Sequence, residues 1–211
     1  MYPIPTPIYH MTSGRNLRSI LNNKGLLSNS AVKRLGIGYT NIAYSNVQQR
    51  RLNTDVKQPP WGNLHDYVPF YFAPRSPMLY TIHRGNVEGY EEGQEYIIYL
   101  KTTVQMIEDH GLDFVFTDGH AILDISDFFK NTEDLKHVDW DIMQEKYWGE
   151  TDDDKDRPRR RQAEFLVHDF VPWTLIQEIG VINIRFKTAV ERVLHDYEDI
   201  TPVSIQRNWY Y

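Results

Sequence analysis

The stretch RPRRRQAEFLVHDFVP, residues 157–172, joins four arginines to an apolar run that contains a single glutamate. Alternation along AEFLVHDF predicts a strand with Glu164 and Phe165 on opposite faces. The charged residues before it, 149–158, are typical of a mobile surface loop. Burying an ionised carboxylate is costly unless it is paired, so Glu164 needs an explanation.

The remaining pattern mixes strands and helices without a regular strand–helix–strand alternation. Runs of β-branched and aromatic residues predict strands at residues 66–72, 78–82, 95–100, 113–116 and 181–186. Apolar residues at helical spacing predict helices after Ser13 and at residues 42–52, 102–110, 133–148 and around 190–197. We therefore predict an α+β fold in a single domain, residues 1–211.

Composition limits the class of protein. The chain has a net charge of −6 and no cysteine, which favours a reducing compartment and argues against broad coating of duplex DNA. No apolar run approaches the roughly 20 residues of a membrane span, and no signal peptide pattern opens the sequence. We expect a cytoplasmic protein that does not interact with membranes.

Common catalytic motifs are absent from the sequence. There is no H-E-x-x-H, no Walker loop and no G-x-S-x-G, and although Asp118 and His120 are possible ligands we predict no metal site.

Three other features each have two interpretations. Glu164 is either an edge-strand glutamate in a salt bridge or a catalytic carboxylate held ionised by guanidinium groups. Arg50 and Arg51 are either a solvated helix face or a phosphate clamp. His10 and Thr12 share one side of an extended segment, where they either cap and pack or contact one ligand.

Several segments together resemble the DarT family of DNA ADP-ribosyltransferase toxins. They are Y-H-M-T with N-L-R-S-I-L, the Arg50-Arg51 pair, L-H-D-Y-V-P-F-Y-F-x-P-R-S-P-M-L-Y, V-F-T-D-G-H, Q-A-E-F-L-V and a terminal W-Y-Y. The resemblance extends over essentially the whole chain. It implies a compact ADP-ribosyltransferase fold in which two small sheets form an NAD cleft. It also implies NAD as a substrate, thymine in single-stranded DNA as the acceptor, and a DarG-like macrodomain antitoxin as partner.

The resemblance also assigns site residues. Glu164 and Arg51 match the catalytic glutamate and arginine, with Arg51 expected on the pyrophosphate of NAD. The NAD-contacting positions expected from the resemblance are His10, Thr12, Asn16, Arg51 and Tyr71. Met78 and His120 are expected near the target nucleotide.

The arginines that precede Glu164 suggest a further hypothesis. We predict that Arg157, Arg159, Arg160 and Arg161 form a substrate-facing loop that grips the phosphates of single-stranded DNA. Two alternatives remain open from the sequence: an ADP-ribosyltransferase with an RNA or protein acceptor, and a non-catalytic module that binds single-stranded nucleic acid.

Overall fold

Two sheets and a set of short helices make up residues 2–211, the part of the chain that this computed structural model describes. The strands are β1 (Pro7–Ser13), β2 (Gly25–Leu27), β3 (Tyr67–Tyr71), β4 (Ile97–Thr103), β5 (Phe114–His120), β6 (Phe128–Phe129), β7 (Ala163–His168), β8 (Phe170–Pro172), β9 (Glu178–Val181) and β10 (Val203–Ile205). The large sheet has the order β10-β9-β4-β1-β3-β7-β5-β6, and β2 pairs with β8 in a small second sheet. The mixed α+β class expected from the sequence is confirmed.

The large sheet divides into two halves between β1 and β3. β1 pairs with β4 along its whole length, from Pro7 to Ser13, whereas it registers with β3 only at Tyr9 and Tyr71. Pro69 explains part of this gap, because proline has no backbone N–H to donate to a neighbouring strand. The carbonyl of Pro69 instead accepts a hydrogen bond from His10 Nδ1. The two strands therefore diverge and leave a cleft between the halves of the sheet.

The strand that contains Glu164 lies in the middle of the sheet, between β3 and β5. Its two faces enter different parts of the core, as the alternation predicts. Phe165 stacks on Phe114 with ring centroids 4.8 Å apart, whereas Leu166 packs in a separate cluster with Tyr67. Because both faces are covered, the strand is buried almost throughout, and this rigid position is where the glutamate is held.

Eight α-helices complete the described part of the chain. They are α1 (Leu17–Asn22), α2 (Asn29–Arg34), α3 (Ser45–Leu52), α4 (Pro77–His83), α5 (Val104–Asp109), α6 (Trp140–Gln144), α7 (Arg157–Arg161) and α8 (Ile184–Asp196). Helices predicted near residues 42–52, 102–110 and 190–197 are confirmed as α3, α5 and α8. None of the helices formed by residues 2–211 is long and apolar enough to cross a membrane.

Two predicted strands are wrong, and capping residues explain both errors. Residues 78–82 lie in α4, because Ser76 Oγ accepts a hydrogen bond from the N–H of Leu79 and Pro77 stands at the start of the helix. Most of the segment 181–186 is likewise not a strand. β9 ends at Val181, the first residue of this segment, and Asn183 caps α8. Short polar caps thus override the β propensity of the residues that follow.

The segment before β7 also differs from the prediction. The helix expected over residues 133–148 is two shorter pieces, a 3-10 helix at Thr132–His137 and α6, which is capped by Asp139. The end of the charged segment that was expected to be a loop forms α7. The four arginines therefore have fixed positions on a helical turn rather than on a mobile loop.

Candidate active site

A cavity of about 320 Å³ opens where the two halves of the large sheet diverge. α1, α3 and α4 contribute side chains to its walls, and β7 contributes Glu164. Eight residues that the sequence singled out line this one cavity: His10, Thr12, Asn16, Arg51, Tyr71, Met78, His120 and Glu164. The fold thus brings together positions as far apart in the sequence as His10 on β1 and Glu164 on β7.

Glu164 is a buried carboxylate with a hydrogen-bond donor on each oxygen. Its residue is 1% exposed. Arg51 Nη1 lies 2.7 Å from Glu164 Oε2, and the backbone N–H of Ala121 donates to Oε1 over 3.3 Å. The edge-strand interpretation is therefore wrong, because the glutamate lies on a central strand, and its ion-pair partner is none of the four arginines that precede it.

An irregularity in β5 places the second donor. The pairing of β5 with β7 shifts register between Phe116 and His120. Within that shift, Thr117 Oγ1 accepts a hydrogen bond from the N–H of Glu164 over 3.1 Å and donates to the carbonyl of Gly119 over 2.6 Å. Such bulges redirect side chains and end regular pairing. Here the bulge turns the chain so that the N–H of Ala121 reaches the carboxylate.

Only one residue of the Arg50-Arg51 pair reaches the cavity. Arg51 lines it with a side chain that is 12% exposed, and within residues 2–211 its Nη2 has no hydrogen-bond partner. Arg50 turns away, with Nη2 3.5 Å from the carbonyl of Ile122. Arg51 therefore combines an ion pair to Glu164 with an unused donor.

His10 is held as a neutral imidazole. Burial lowers the pKa of His10 to about 4, and Nδ1 lies 2.8 Å from the carbonyl of Pro69. At neutral pH the ring carries one proton, which this carbonyl keeps on Nδ1, so Nε2 is left as a hydrogen-bond acceptor. The divergence of β1 from β3 thus fixes the tautomer of a cavity residue.

Asn16 fastens the wall of the cavity. Its Nδ2 donates to Thr12 Oγ1 and to the carbonyl of Thr40, both over 3.0 Å, and its Oδ1 accepts from the N–H of Thr40 over 2.7 Å. Thr40 belongs to an irregular segment between α2 and α3 that covers the cavity. The amide of Asn16 is therefore engaged within the protein, where it orders this segment.

Tyr71, Met78 and His120 lie around the carboxylate. Tyr71 is directly opposite Glu164 in the pairing of β3 with β7, and its hydroxyl donates to Met78 Sδ over 3.7 Å. Burial, and next the charge of Glu164, raise the pKa of Tyr71 well above its usual value, so the phenol stays neutral. Burial also lowers the pKa of His120. This wall carries no charge at neutral pH beside the carboxylate of Glu164.

The four arginines on α7 are already engaged within the protein. Arg159 pairs with Asp156 and Asp118, and Arg160 pairs with Asp139, Asp154 and Asp156. Arg157 donates to the carbonyls of Tyr147 and Gly149.

The prediction of a DNA contact is wrong for Arg161. This residue is 3% exposed and its guanidinium donates to backbone carbonyls in the interior, so it cannot face a substrate. Among the arginines of α7, Arg157 is the partly exposed guanidinium that forms no ion pair within residues 2–211, and it keeps the DNA contact as a prediction.

Two contributors were missed from the sequence. Ala121 acts through its backbone, which no side-chain pattern reveals. His65 lines the cavity, and its Nε2 lies 3.0 Å from Gln48 Oε1, one turn before Arg51 on α3. The L-H-D-Y segment that carries His65 is among those that resemble the DarT family, so the sequence does contain a signal for this residue.

A family model described as ssDNA thymidine ADP-ribosyltransferase, DarT, matches residues 9–211. The chain belongs to the DarT family. A DNA ADP-ribosyl transferase of Thermus sp. (strain 2.9) is 44% identical to this DarT-family chain over 214 residues, which cover 100% of this chain and 98% of the relative. The resemblance inferred from the sequence motifs is thus confirmed.

Solved structures agree with this membership. Thermus sp. 2.9 DarT in complex with ADP-ribosylated ssDNA matches with a TM-score of 0.94 and 43% identity over 100% of this chain and 99% of that one. The same protein in complex with NAD+ matches with a TM-score of 0.90 and 40% identity, covering 100% of both chains.

A more distant relative combines two activities in its name. This DNA ADP-ribosyl transferase-DNA ADP-ribosyl glycohydrolase fusion protein of Thermosipho africanus is 26% identical over 93% of this DarT-family chain and 47% of its own length.

Proposed function

We infer that this chain transfers ADP-ribose from NAD to thymidine in single-stranded DNA, with Glu164 as the catalytic carboxylate. The observation that carries the assignment of Glu164 is its pairing with Arg51 in the cavity, at a position that is otherwise buried. Membership of the DarT family supports the substrate and the acceptor. One domain, residues 1–211, contains the whole site in this proposal.

Cleavage of the bond between nicotinamide and ribose defines what the site must supply. The electron pair of this bond goes to the nicotinamide nitrogen, which leaves neutral, so no acid is needed. Positive charge develops on the ribose, as in glycoside cleavage. A fixed anion stabilises that charge without reorganisation, and Glu164 is such an anion when held by Arg51 and the N–H of Ala121.

The acceptor step is a second reason to keep this carboxylate ionised. The ring nitrogen of thymine forms the new bond to the ribose carbon and loses its proton. Glu164 accepts that proton in the proposal, so that charge and atoms balance with nicotinamide and one proton as the other products. Tyr71, Met78 and His120 provide the neutral wall against which the base is held.

Arg51 has two roles in this proposal. Its Nη1 orients Glu164, and the donor capacity left on the guanidinium binds the pyrophosphate of NAD. His10 and Thr12 contact NAD from the first strand, with His10 acting as a neutral acceptor through Nε2. Asn16 supports this end of the cavity through Thr40 and contributes to NAD binding by ordering the segment that covers it.

The cellular setting follows from the substrates and the relatives. We propose a cytoplasmic toxin, since NAD and single-stranded DNA occur together in that compartment. The fusion of a relative to a DNA ADP-ribosyl glycohydrolase supports a DarG-like macrodomain partner, which removes the modification.

A direct assay tests this function. Protein, NAD and a short single-stranded oligonucleotide with one thymine are incubated, and the DNA is weighed by mass spectrometry. We expect the mass of one ADP-ribose to be added. Matched oligonucleotides without thymine, the same sequence as duplex, and RNA should stay unmodified. Addition to RNA alone, or to no nucleic acid, would contradict the proposal.

A further inference from the structure

Arg161 is a buried cation that forms no ion pair with any residue in the range 2–211. It ends α7, three positions before Glu164, and is 3% exposed. Its Nη1 donates to the carbonyls of Ile142, Met143 and Glu145 over 2.6, 2.8 and 3.3 Å, and its Nη2 donates to the carbonyl of Pro74 over 2.6 Å. Burial lowers the pKa of Arg161 to about 10, so it remains charged at neutral pH.

Packing alone does not explain this residue. Removing a charge from water is costly, and an apolar residue of similar volume often serves a protein core at least as well. The guanidinium instead offers donors in a fixed planar fork, which can join chain segments at defined angles. Its geometric use therefore depends on which segments it joins.

One of the joined segments ends α6. The carbonyls of Ile142 and Met143 are at the C-terminal end of this helix, where backbone acceptors lack helical partners. Arg161 donates to both acceptors with its Nη1, and the carbonyl of Ile142 also accepts from the N–H of Glu145 over 3.3 Å.

The other joined segment leads into the side of the cavity that the proposed function assigns to the thymine base. Pro74 lies in the short turn between β3, which ends at Tyr71, and α4, which begins at Pro77. The turn includes Arg75 at a φ of 58°, in the left-handed region that non-glycine residues rarely adopt. Beyond the turn, Met78 receives the hydrogen bond from Tyr71. Tyr71 is held opposite Glu164 by the pairing of β3 with β7, so displacing Pro74 would move the Met78 side of the wall.

We propose that Arg161 is a positioning residue that holds Met78, the α4 side of the Tyr71–Met78 wall, in place relative to Glu164 through its hydrogen bond to Pro74. The proposal rests on the function inferred above, because it assigns this wall to the thymine base. It also gives the arginine segment a role other than gripping DNA. The helix that leads into the catalytic strand fixes the place where the acceptor base is held.

The variants Arg161→Lys and Arg161→Met test this role. A lysine keeps the charge but cannot span Pro74 and the end of α6 with one point donor. We expect kcat/KM for a thymine oligonucleotide to fall about 100-fold, as for a displacement of about 1 Å at a reacting group. The Kd for NAD, measured by calorimetry, should stay within about twofold, because the NAD-contacting residues on β1 and α3 do not contact Arg161 and Tyr71 is held by the pairing of β3 with β7.

A stability control separates positioning from general loosening. Val190→Ala removes methyl groups from the core at α8 and does not line the cavity. Each variant is assayed at a temperature equally far below its own thermal midpoint, so that the two are compared at similar stability. Equal losses of kcat/KM for DNA in Arg161→Lys and Val190→Ala would overturn the proposal. A loss of NAD affinity in Arg161→Lys as large as its loss of kcat/KM would also overturn it, as would unchanged kinetics in both Arg161 variants.

A double-mutant cycle provides the second readout. If Arg161 acts through the wall, its substitution should cost much less in kcat/KM for DNA once Met78→Ala has already removed that wall. Fully additive losses in Arg161→Lys/Met78→Ala would contradict the coupling. Failure of the wild-type protein to modify DNA would contradict the proposed function instead, so the two outcomes are distinct.

Discussion

Arg51 Nη1 lies 2.7 Å from Glu164 Oε2, a contact that joins helix α3 to the central strand β7 across 113 residues of sequence. Both side chains are largely buried, with 12% and 2% of their surface exposed. The ion pair thus lies in the wall of the cavity, between α3 and β7. Stability and chemistry depend on the same contact, which makes their separation the first experimental task.

Removing Arg51 should destabilise the protein because it leaves a buried carboxylate without its cation. We expect Arg51→Met to lower the free energy of unfolding by about 3 kcal/mol, measured by urea denaturation. The double variant Arg51→Met/Glu164→Gln should regain most of that loss, since no unpaired charge remains. Additive losses in the double variant would show that the pair does not interact as described.

Binding of NAD should weaken in the same variant. Arg51→Met removes the charged donor assigned to the pyrophosphate, and a charge-assisted hydrogen bond is worth about 1.5–3 kcal/mol. Calorimetry at a temperature where the variant is folded should therefore show a loss of affinity of at least about tenfold. An unchanged Kd would limit Arg51 to orienting Glu164.

His10 predicts a specific dependence of stability on pH. Its pKa is lowered from 6.5 to about 4 by burial, so between these values the unfolded chain binds a proton that the folded protein excludes. The stabilising contribution is complete above pH 6.5 and is lost as the pH falls towards 4. His10→Gln, which cannot titrate, should show a smaller decrease in unfolding free energy over this window. Parallel curves for wild type and variant would contradict the burial of a neutral His10.

The salt dependence of DNA binding tests the arginines of α7. Each phosphate contact contributes roughly 0.7 to the slope of log affinity against log salt for a single strand. We expect α7 to make fewer phosphate contacts than its four arginines would allow, because Arg159 and Arg160 are paired with aspartates and Arg161 is buried. Arg157→Ala should reduce the slope by about 0.7. Arg160→Ala should leave it unchanged; a reduction there would restore the original hypothesis of a phosphate grip.

We expect the Ser76 cap to stabilise α4, the helix that carries Met78. Ser76→Ala removes the side-chain acceptor for the N–H of Leu79 and should cost about 1 kcal/mol of unfolding free energy. Ser76 is 1% exposed, so the matched control is Ser76→Thr, which keeps a neutral hydroxyl acceptor at the cap. A loss of stability in Ser76→Thr as large as in Ser76→Ala would show that the cap is not the cause.

Local patterns in the sequence predicted much of the fold and the cavity. Alternation placed Glu164 and Phe165 on opposite faces of a strand, and helical spacing found α3, α5 and α8. The motifs named eight of the residues that line the cavity, because the family resemblance relates positions along the whole chain to one site. These successes involve either neighbouring residues or whole-chain similarity.

Long-range partners were beyond the reach of local patterns. The sequence left open that a neighbouring arginine forms a salt bridge with Glu164. In the structure the partner is Arg51, which lies 113 residues away on α3. The segment 78–82 shows the second kind of error, since Ser76 and Pro77 determine a helix that the residues themselves do not favour. Which charge pairs with which depends on sheet order, and no spacing in the sequence specifies that order.

The rate of transfer by Glu164→Gln tests the central claim most directly. Glutamine has nearly the same shape, so the fold and the NAD affinity should persist. It can neither supply the anion nor accept the proton, so the transfer step should suffer. We predict that ADP-ribosylation of a single-stranded thymine oligonucleotide, followed by mass spectrometry, slows by about 10²–10³-fold or more. A rate close to that of the wild type, with NAD bound equally well, would contradict the assignment of Glu164 as the catalytic carboxylate.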